Sequence, residues 1–229
     1  MTIGLLQCDH VPRDLVDAAG GDYDDLFRRR FPKLDLRIYD ASSGELPADV
    51  DECDGYLTSG SRHSVYDDIE WIHALAATVR TIRVSRIPFV GICFGHQMIA
   101  HALGGIVRRS PRGWGVGIHE MHVSHPQVWM QPPLESPRIY LSCQDQIEQL
   151  PAGTQTLATG TVVEISMIML YDMLGIAGHP EFTRDYAEAL YELRRVRIGD
   201  SAAGAAFASL DDGDDADLVA EWITNFLIR

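Results

Sequence analysis

The segment Pro88-Phe-Val-Gly-Ile-Cys-Phe-Gly-His-Gln97 joins a predicted strand to a predicted helix through a very short turn. Residues 88–92 are almost continuously apolar, which is typical of a strand buried on both faces of a sheet. Residues 97–103 are predicted to be helical, and the pair Gly104-Gly105 ends that helix. A buried strand that turns directly into a helix is typical of α/β proteins.

The same alternation continues on both sides of this segment. Sequence patterns predict further strands at residues 2–7, 34–39, 55–58 and 173–176, and helices at residues 14–31, 67–83, 184–197 and 218–227. Residues 106–166 are predicted to form β-structure and loops, and residues 202–217 a loop or a weak helix. We therefore predict an α/β fold whose mostly parallel sheet has helices on both faces.

Length and composition favour one domain. The chain has 229 residues, of which 46% are hydrophobic, enough for one sizeable core. We predict a single domain over residues 1–229, with a core at about 1–197 and a helical C-terminal extension at 198–229. Two small domains are the alternative, although no linker rich in Pro, Gly or Ser interrupts the middle of the chain.

The charge balance excludes two classes of partner. There are 19 Lys and Arg residues against 33 Asp and Glu residues, a net charge of -14 at pH 7. Such an acidic chain is not expected to be a general binder of nucleic acid or of anionic membranes. The most apolar stretch, residues 162–178, contains Glu164 and Asp172 and is too short and too charged to span a bilayer.

The cysteines indicate a reducing compartment. They are widely spaced and form no C-x-x-C pair: Cys8, Cys53, Cys93 and Cys143. No basic leader precedes the first predicted strand. We therefore expect reduced thiols and a cytoplasmic location.

One cysteine occupies the turn between the predicted strand and helix. Gly91-Ile-Cys-Phe-Gly95 has the spacing of a nucleophile elbow, with Cys93 at the position of the nucleophile. The helix N-terminus beneath the sulfur would stabilise a thiolate, and the backbone N–H of Phe94 would face a developing oxyanion. The alternative is a buried structural cysteine beside glycines that allow close helix packing.

A histidine and a carboxylate follow another predicted strand. In His179-Pro-Glu181 the two ionisable side chains are two residues apart, so an extended segment projects them to the same side. Glu181 can then orient the imidazole of His179, and the other ring nitrogen faces the sulfur of Cys93. Taken alone, the triplet could equally be a surface turn.

The two segments Gly91-Ile-Cys-Phe-Gly-His-Gln97 and Gly178-His-Pro-Glu-Phe182 together resemble the two signature motifs of class I glutamine amidotransferases. Arg112-Gly-Trp-Gly-Val-Gly117 and Leu141-Ser-Cys-Gln-Asp-Gln146 resemble the stand-alone branch, close to the amidotransferase domain of GMP synthase and to plant γ-glutamyl peptidases. The resemblance extends from the first strand to about residue 197. It implies a flavodoxin-like fold and a catalytic triad of Cys93, His179 and Glu181.

The resemblance also implies the rest of the site. Gly60 and Ser61 match the loop that supplies the second oxyanion donor beside Phe94, although many relatives have Gly where this chain has Ser61. Gln97 matches a residue that contacts bound glutamine. The segment that holds the α-amino and α-carboxylate groups of glutamine matches Ser142, Cys143 and Gln144.

Two positions depart from the pattern of the resembled family. Cys143 stands where relatives often carry His, and Ala177 stands where they often carry Gln. Neither position belongs to the predicted triad. Both departures could change the choice of substrate.

The implied activity is hydrolysis of the side-chain amide of glutamine, or of a related γ-glutamyl amide, through a γ-glutamyl thioester that releases ammonia or an amine. The alternatives are a glutaminase subunit that delivers ammonia to a separate synthase, and a catalytically retired regulatory or binding protein. The chain has no phosphate-binding G-x-x-x-x-G-K-[ST] motif, and only about 30 residues follow the predicted helix 184–197, fewer than a domain needs.

No cofactor or metal is expected. His119, His122 and His125 are spaced by three residues in a predicted β-stretch, where such steps alternate between faces and cannot converge on one ion. The predicted partner is a small-molecule substrate, and neither nucleic acid nor a membrane is expected. A separate synthase subunit and assembly into a homo-oligomer stay open.

Overall fold

The computed structural model describes residues 1–229. The strands are β1 (Thr2–Leu6), β2 (Asp35–Tyr39), β3 (Gly55–Thr58), β4 (Phe89–Ile92), β5 (Ile106–Arg109), β6 (Gly115–Val123), β7 (Arg138–Cys143), β8 (Asp145–Gln149), β9 (Gln155–Gly160), β10 (Ile165–Leu170) and β11 (Met173–Ile176). The α-helices are α1 (Val16–Ala19), α2 (Tyr23–Arg30), α3 (Glu70–Ser85), α4 (Phe94–Ala102), α5 (Arg184–Leu193), α6 (Arg195–Ile198), α7 (Asp200–Ser209) and α8 (Ala216–Leu227).

One large sheet organises the molecule. Its nine strands lie in the order β2-β1-β3-β4-β11-β10-β9-β6-β7, and β5 and β8 form a separate two-stranded sheet. The pairs from β2 to β11 are parallel. The pairs from β11 to β7 are antiparallel. The predicted α/β class is confirmed, and the sheet is mixed because the middle of the chain adds hairpins instead of strand–helix crossovers.

Helices cover both faces of the parallel half, as predicted. Successive residues of a strand point to opposite faces, so Phe89 of β4 packs in the cluster that includes α3 and α4. Its neighbour Val90 packs on the other face, in the cluster that includes α8 and the end of α2. None of the helices combines the length and the apolar character needed to cross a lipid bilayer.

Residues 200–209 form helix α7, whereas a loop or a weak helix was predicted for residues 202–217. The helix packs against β6 at a glycine: a Cβ on Gly117, which has φ +97°, would lie 2.9 Å from Cα of Ala206. The small, alanine-rich surface of α7 makes this close approach possible. That packing, and not an apolar stripe of the usual width, stabilises the helix.

Three neighbouring parallel strands bring the predicted site segments together. Strands β3, β4 and β11 are adjacent in the sheet, and their carboxyl ends therefore lie at one edge. Ser59–Ser61 follows β3, Cys93 follows β4 and His179 lies just beyond β11. In open α/β sheets, ligands bind at this kind of edge.

Candidate active site

Cys93 lies at the junction between β4 and α4 in a strained backbone conformation. Its φ is +49° and its ψ is −94°, and its N–H donates to the carbonyl of Ile176 at 2.8 Å. Positive φ is costly for a residue with a Cβ, and such strain is concentrated at functional sites. The conformation turns the chain within one residue and places the sulfur beside the N-terminus of α4.

Glycines on both sides of Cys93 make this turn possible. A Cβ on Gly91 would lie 2.3 Å from the carbonyl carbon and oxygen of Gly95. A Cβ on Gly95 would lie 1.7 Å from Oγ1 of Thr58. Both distances are far below van der Waals contact, so strand β4, helix α4 and strand β3 can be this close only with glycine at these positions.

The imidazole of His179 is fixed from several directions. Its Nδ1 lies 2.7 Å from Oε1 of Glu181, and its ring stacks on Phe182 with centroids 4.1 Å apart. The backbone N–H of His179 donates to the carbonyl of Tyr140 at 2.8 Å. A Cβ on Gly60 would lie only 2.7 Å from Cε1 of the ring. The second ring nitrogen, Nε2, is buried and has no hydrogen-bond partner in the protein.

The electrostatics couple the three ionisable groups. Burial raises the pKa of the Cys93 thiol, and the neighbouring imidazole of His179 opposes this effect. Burial acts to lower the pKa of His179, but the Glu181 carboxylate and the Cys93 sulfur raise it to about 10. The imidazole is therefore a strong base beside a thiol whose ionisation it favours.

The loop after β3 is held by the segment that follows β1. The N–H of Cys8 donates to Oγ of Ser59 at 2.8 Å, and the N–H of Arg62 donates to Oδ2 of Asp9 at 2.8 Å. These bonds fix the loop at both of its ends. Phe94 is the first residue of α4, where a backbone N–H has no partner within the helix.

A polar cleft opens above Cys93 and contains most of the predicted site residues. Those that line it are Ser61, Cys93, Gln97, Ser142, Cys143 and Gln144. Nε2 of Gln97 donates to the backbone carbonyl of Asp145 at 2.8 Å, which fixes its side chain at the wall of the cleft. The other predicted residues do not line the cleft and are buried beside it: Gly60, Phe94, His179 and Glu181.

The two departures from the resembled family differ in position. Cys143 lines the cleft, so having Cys where relatives often have His changes the surface that a ligand would contact. Ala177 belongs to the hydrophobic core, and its N–H donates to the carbonyl of Ser166 at 2.9 Å. Of the two positions, only Cys143 lines the cleft.

Several residues of the cleft had no role assigned from sequence. They are Arg62, His63, Ser64, Trp114, Asp145, Arg194 and Arg197. His63 lies in the loop after β3, where the sequence alone does not distinguish a substrate contact from a polar loop residue. Arg194 and Arg197 gave no signal in the sequence, because only the tertiary packing brings the end of α5 and α6 to the cleft.

Comparisons with known proteins agree with this architecture. The family model described as "Glutamine amidotransferase class-I" matches residues 25–191. Gamma-glutamyl peptidase 4 of Arabidopsis thaliana is 33% identical over 150 residues, 62% of this chain and 60% of the relative. This chain thus spans less than two thirds of that relative's length.

GMP synthase (glutamine-hydrolyzing) of Pyrobaculum aerophilum is 33% identical over 174 residues, 73% of this chain but 32% of the longer relative. Among solved structures, a glutamine amidotransferase from Thermotoga maritima superposes with a TM-score of 0.76 at 18% identity, covering 100% of this chain and 97% of that one. The structural likeness at this identity concerns the fold.

Proposed function

Because this chain belongs to the class I glutamine amidotransferase family, we propose that it hydrolyses the side-chain amide of glutamine or of a related γ-glutamyl amide. The reaction passes through a γ-glutamyl thioester on Cys93 and releases ammonia or an amine. The class of bond is suggested by the names of the relatives, which are gamma-glutamyl peptidases and glutamine-hydrolyzing synthases. The residues that carry the chemistry are proposed from the geometry of the cleft.

The first half of the reaction forms the thioester. His179 takes the proton of the Cys93 thiol, and the thiolate attacks the amide carbon. The backbone N–H groups of Phe94 and Ser61 stabilise the charge that develops on the amide oxygen, and Gly60 lets the loop that contains Ser61 approach the ring of His179. His179 then gives its proton to the leaving nitrogen as the C–N bond breaks.

The second half restores the enzyme. A water molecule loses a proton to His179 and attacks the thioester carbon, and the Cys93 sulfur leaves and is protonated again. Glu181 acts throughout by orienting the imidazole and stabilising its protonated form. Replacement of one oxyanion donor in such chemistry costs about 3–4 kcal/mol.

The γ-glutamyl group would bind along the wall of the cleft. We assign its amide end to Gln97, beside Cys93. Its α-amino and α-carboxylate groups are assigned to the segment Ser142, Cys143 and Gln144, which forms part of the same wall. The substrate thus lies with its reacting carbon at the sulfur and its charged end away from α4.

One observation supports the proposal more than any other. Cys93 has a strained backbone at the floor of the cleft, beside an imidazole whose Nδ1 is bound to Glu181 and whose Nε2 has no protein partner. A structural cysteine would need neither the strain nor the free ring nitrogen. A nucleophile activated by a base needs the free ring nitrogen, and backbone strain is concentrated at functional sites.

The test is a γ-glutamyl substrate panel with matched cysteine variants. Wild-type protein, Cys93→Ala and Cys53→Ala are incubated with glutamine and γ-glutamyl dipeptides, and the released ammonia or amine is measured. Activity should disappear in Cys93→Ala and persist in Cys53→Ala, because Cys53 is a free, buried cysteine that does not line the cleft. A wild-type protein as inactive as Cys93→Ala on the whole panel would end the proposal for hydrolysis by this chain alone.

A labelling experiment addresses a catalytically retired protein. A diazo-ketone analogue of glutamine should alkylate Cys93 at neutral pH much faster than Cys8, Cys53 or Cys143, which are also buried and free. The sites are identified by peptide mass spectrometry. Equal, slow labelling of all four cysteines would favour a retired site.

A glutaminase subunit is the second candidate. It is favoured by the match to GMP synthase (glutamine-hydrolyzing), which covers 73% of this chain and 32% of that protein. This candidate predicts low glutamine hydrolysis alone and a rise when the partner synthase is added. High turnover of γ-glutamyl dipeptides by the isolated chain would exclude it.

We propose a cytoplasmic location, supported by the four free, buried cysteines.

A further inference from the structure

Two arginines lie over one tryptophan at the wall of the cleft. Arg194 is the C-cap of α5 and Arg197 lies in α6, and their guanidinium carbons are 6.0 Å and 5.6 Å from the ring centroid of Trp114. All three residues line the same cleft as Cys93. A cation–π contact holds a guanidinium group near an aromatic ring and leaves its N–H donors available to a ligand.

Neither guanidinium is neutralised by a carboxylate of the protein. Nη1 of Arg194 donates to Oγ of Ser142 at 2.8 Å, and Arg197 forms no side-chain hydrogen bond or ion pair. Arg195, which lies between them in sequence, is paired with Glu192 at 2.6 Å. In a chain with 33 acidic residues against 19 basic ones, two adjacent unpaired cations in a cleft are unusual.

The other charged side chains that line the cleft already have partners within the protein. Arg62 is bound by Asp9 at 2.8 Å. The carboxylate of Asp145 accepts hydrogen bonds from the hydroxyl groups of Ser64 and Tyr66. Because the two like charges of Arg194 and Arg197 repel each other, an anion between them would lower the energy of the cleft.

We propose that Arg194 and Arg197, both in cation–π contact with Trp114, form a carboxylate-binding subsite of the active-site cleft. A guanidinium group presents its donors in a planar fork that matches a carboxylate, and two such forks on one ring can hold it from both sides. This inference rests on the proposed function, because it assigns the subsite to a carboxylate of the γ-glutamyl substrate.

A γ-glutamyl substrate can offer that carboxylate from two places. One is the α-carboxylate of the γ-glutamyl group, and the bond from Arg194 to Ser142 joins the subsite to the segment assigned to it. The other is a carboxylate on the released amine, as in a γ-glutamyl amino acid, for which the exposed Arg197 at the cleft is suitably placed.

The test combines kinetics with binding. Arg197→Ala, Arg194→Gln and the double variant are compared with wild type and with the control Arg195→Ala, whose guanidinium is paired away from the cleft. Substrates are glutamine, γ-glutamylglycine and γ-glutamylglycinamide. We expect KM to rise by on the order of tenfold to a hundredfold for each lost guanidinium, with a smaller change in kcat and none in Arg195→Ala.

The substrates separate the two carboxylates. Equal KM effects on all three assign the subsite to the α-carboxylate. An effect on γ-glutamylglycine that is absent with γ-glutamylglycinamide assigns it to the released amine. KM values within about twofold of wild type for every substrate in the double variant would overturn the subsite, since two charged hydrogen-bond donors cannot be lost from a bound carboxylate at so small a cost.

Calorimetry distinguishes failure of the subsite from failure of the proposed function. Binding of glutamate and of γ-glutamylglycine is measured on Cys93→Ala protein, with and without the arginine substitutions, so no turnover is needed. If binding to the Cys93→Ala protein depends on the arginines but the wild-type protein hydrolyses none of the substrates, the subsite stands and the proposed activity is rejected. Hydrolysis together with binding that is indifferent to both arginines rejects the subsite and keeps the activity.

Discussion

Nδ1 of His179 lies 2.7 Å from Oε1 of Glu181, and both side chains are almost completely buried. Because the two residues are separated only by Pro180, the pair forms within one short turn of the chain. The second oxygen of Glu181 and Nε2 of His179 have no protein partner. The imidazole is therefore the only hydrogen-bond partner of the carboxylate, and Nε2 of the imidazole is available to the thiol beside it.

Glu181→Gln should lower the pKa of His179. The wild-type value is raised to about 10, with the Glu181 charge the main opposing influence to burial, so loss of that charge shifts it downward. The protonated imidazole must donate a proton to the leaving nitrogen. The alkaline limb of the kcat/KM profile should therefore move to lower pH by roughly 1–3 pH units. The pH–rate profile measures this shift.

The control for this experiment is Glu188→Gln, which makes the same charge change at an exposed position of α5. Its profile should coincide with that of wild type. We also expect kcat of Glu181→Gln to fall on the order of a hundredfold or more, as positioned acid–base groups contribute in this range. An unchanged alkaline limb in Glu181→Gln would contradict the assignment of Glu181.

Asp9→Ala should release the loop after β3. The Asp9 carboxylate accepts from the backbone N–H of Arg62 and from Nε of the same residue, both at 2.8 Å. Without it the Ser61 amide loses its fixed direction, so kcat should fall on the order of tenfold while KM for glutamine changes little. Steady-state kinetics check the split between the two constants.

Asp51→Asn serves as the comparison for Asp9→Ala, because Asp51 is exposed on a surface turn. Its kinetics should equal those of wild type. Because Asp9 is buried, thermal unfolding is followed in parallel. A variant with wild-type kcat and a lowered Tm would show that Asp9 is only structural.

Gly91→Ala should destabilise the fold. The new Cβ would lie 2.3 Å from the backbone of Gly95, and backbone atoms cannot be displaced as a flexible side chain can. Overpacking of this kind costs about 1–3 kcal/mol or more in the free energy of unfolding. Urea unfolding followed by circular dichroism measures the loss.

The matched glycine is Gly204 in α7, where a Cβ would meet nothing within 4 Å. Gly204→Ala should raise the free energy of unfolding by about 0.5–1 kcal/mol, because alanine favours the helix. If Gly91→Ala were as stable as Gly204→Ala, strand β4 and helix α4 would not be in the contact described.

Gly117→Ala should loosen α7. The residue has φ +97°, and its Cβ would lie 2.6 Å from Oγ of Ser209 and 2.9 Å from Cα of Ala206. Both the backbone strain and the clash act against packing of α7 on β6, at a cost of about 2 kcal/mol. Relative to wild type, amide hydrogen exchange should speed up in residues 200–209 and stay nearly unchanged in α8. Unchanged protection of α7 would disprove this account of its stability.

Much of the parallel half of the fold could be predicted from the sequence. Residues 88–92 are apolar because β4 is buried on both faces, and Gly91 and Gly95 are required by contacts of 2.3 Å and 1.7 Å that no Cβ could survive. The placement of Cys93 and His179 at neighbouring strand ends also followed, because the carboxyl ends of parallel strands meet at one edge. Their catalytic roles stay a proposal.

The antiparallel half could not be predicted in the same way. Strands β9, β10 and β11 follow one another through short turns, but β6 pairs with β7 and with β9 across longer stretches of chain. No local pattern states that β6 lies between those two strands. Helix α7 was missed as a definite helix because its stability comes from contact with Gly117, across a long separation in the chain.

The amino-acid sequence by itself determined the features that local geometry requires: the glycine-flanked turn at Cys93 and the pairing of His179 with Glu181 two residues away. Only the tertiary structure decided the composition of the cleft. Arg194 and Arg197 reach Trp114 because α5 and α6 pack back toward the start of β6. Turns and neighbouring side chains are governed by steric limits within a few residues, whereas the wall of a cleft depends on the packing of the whole chain.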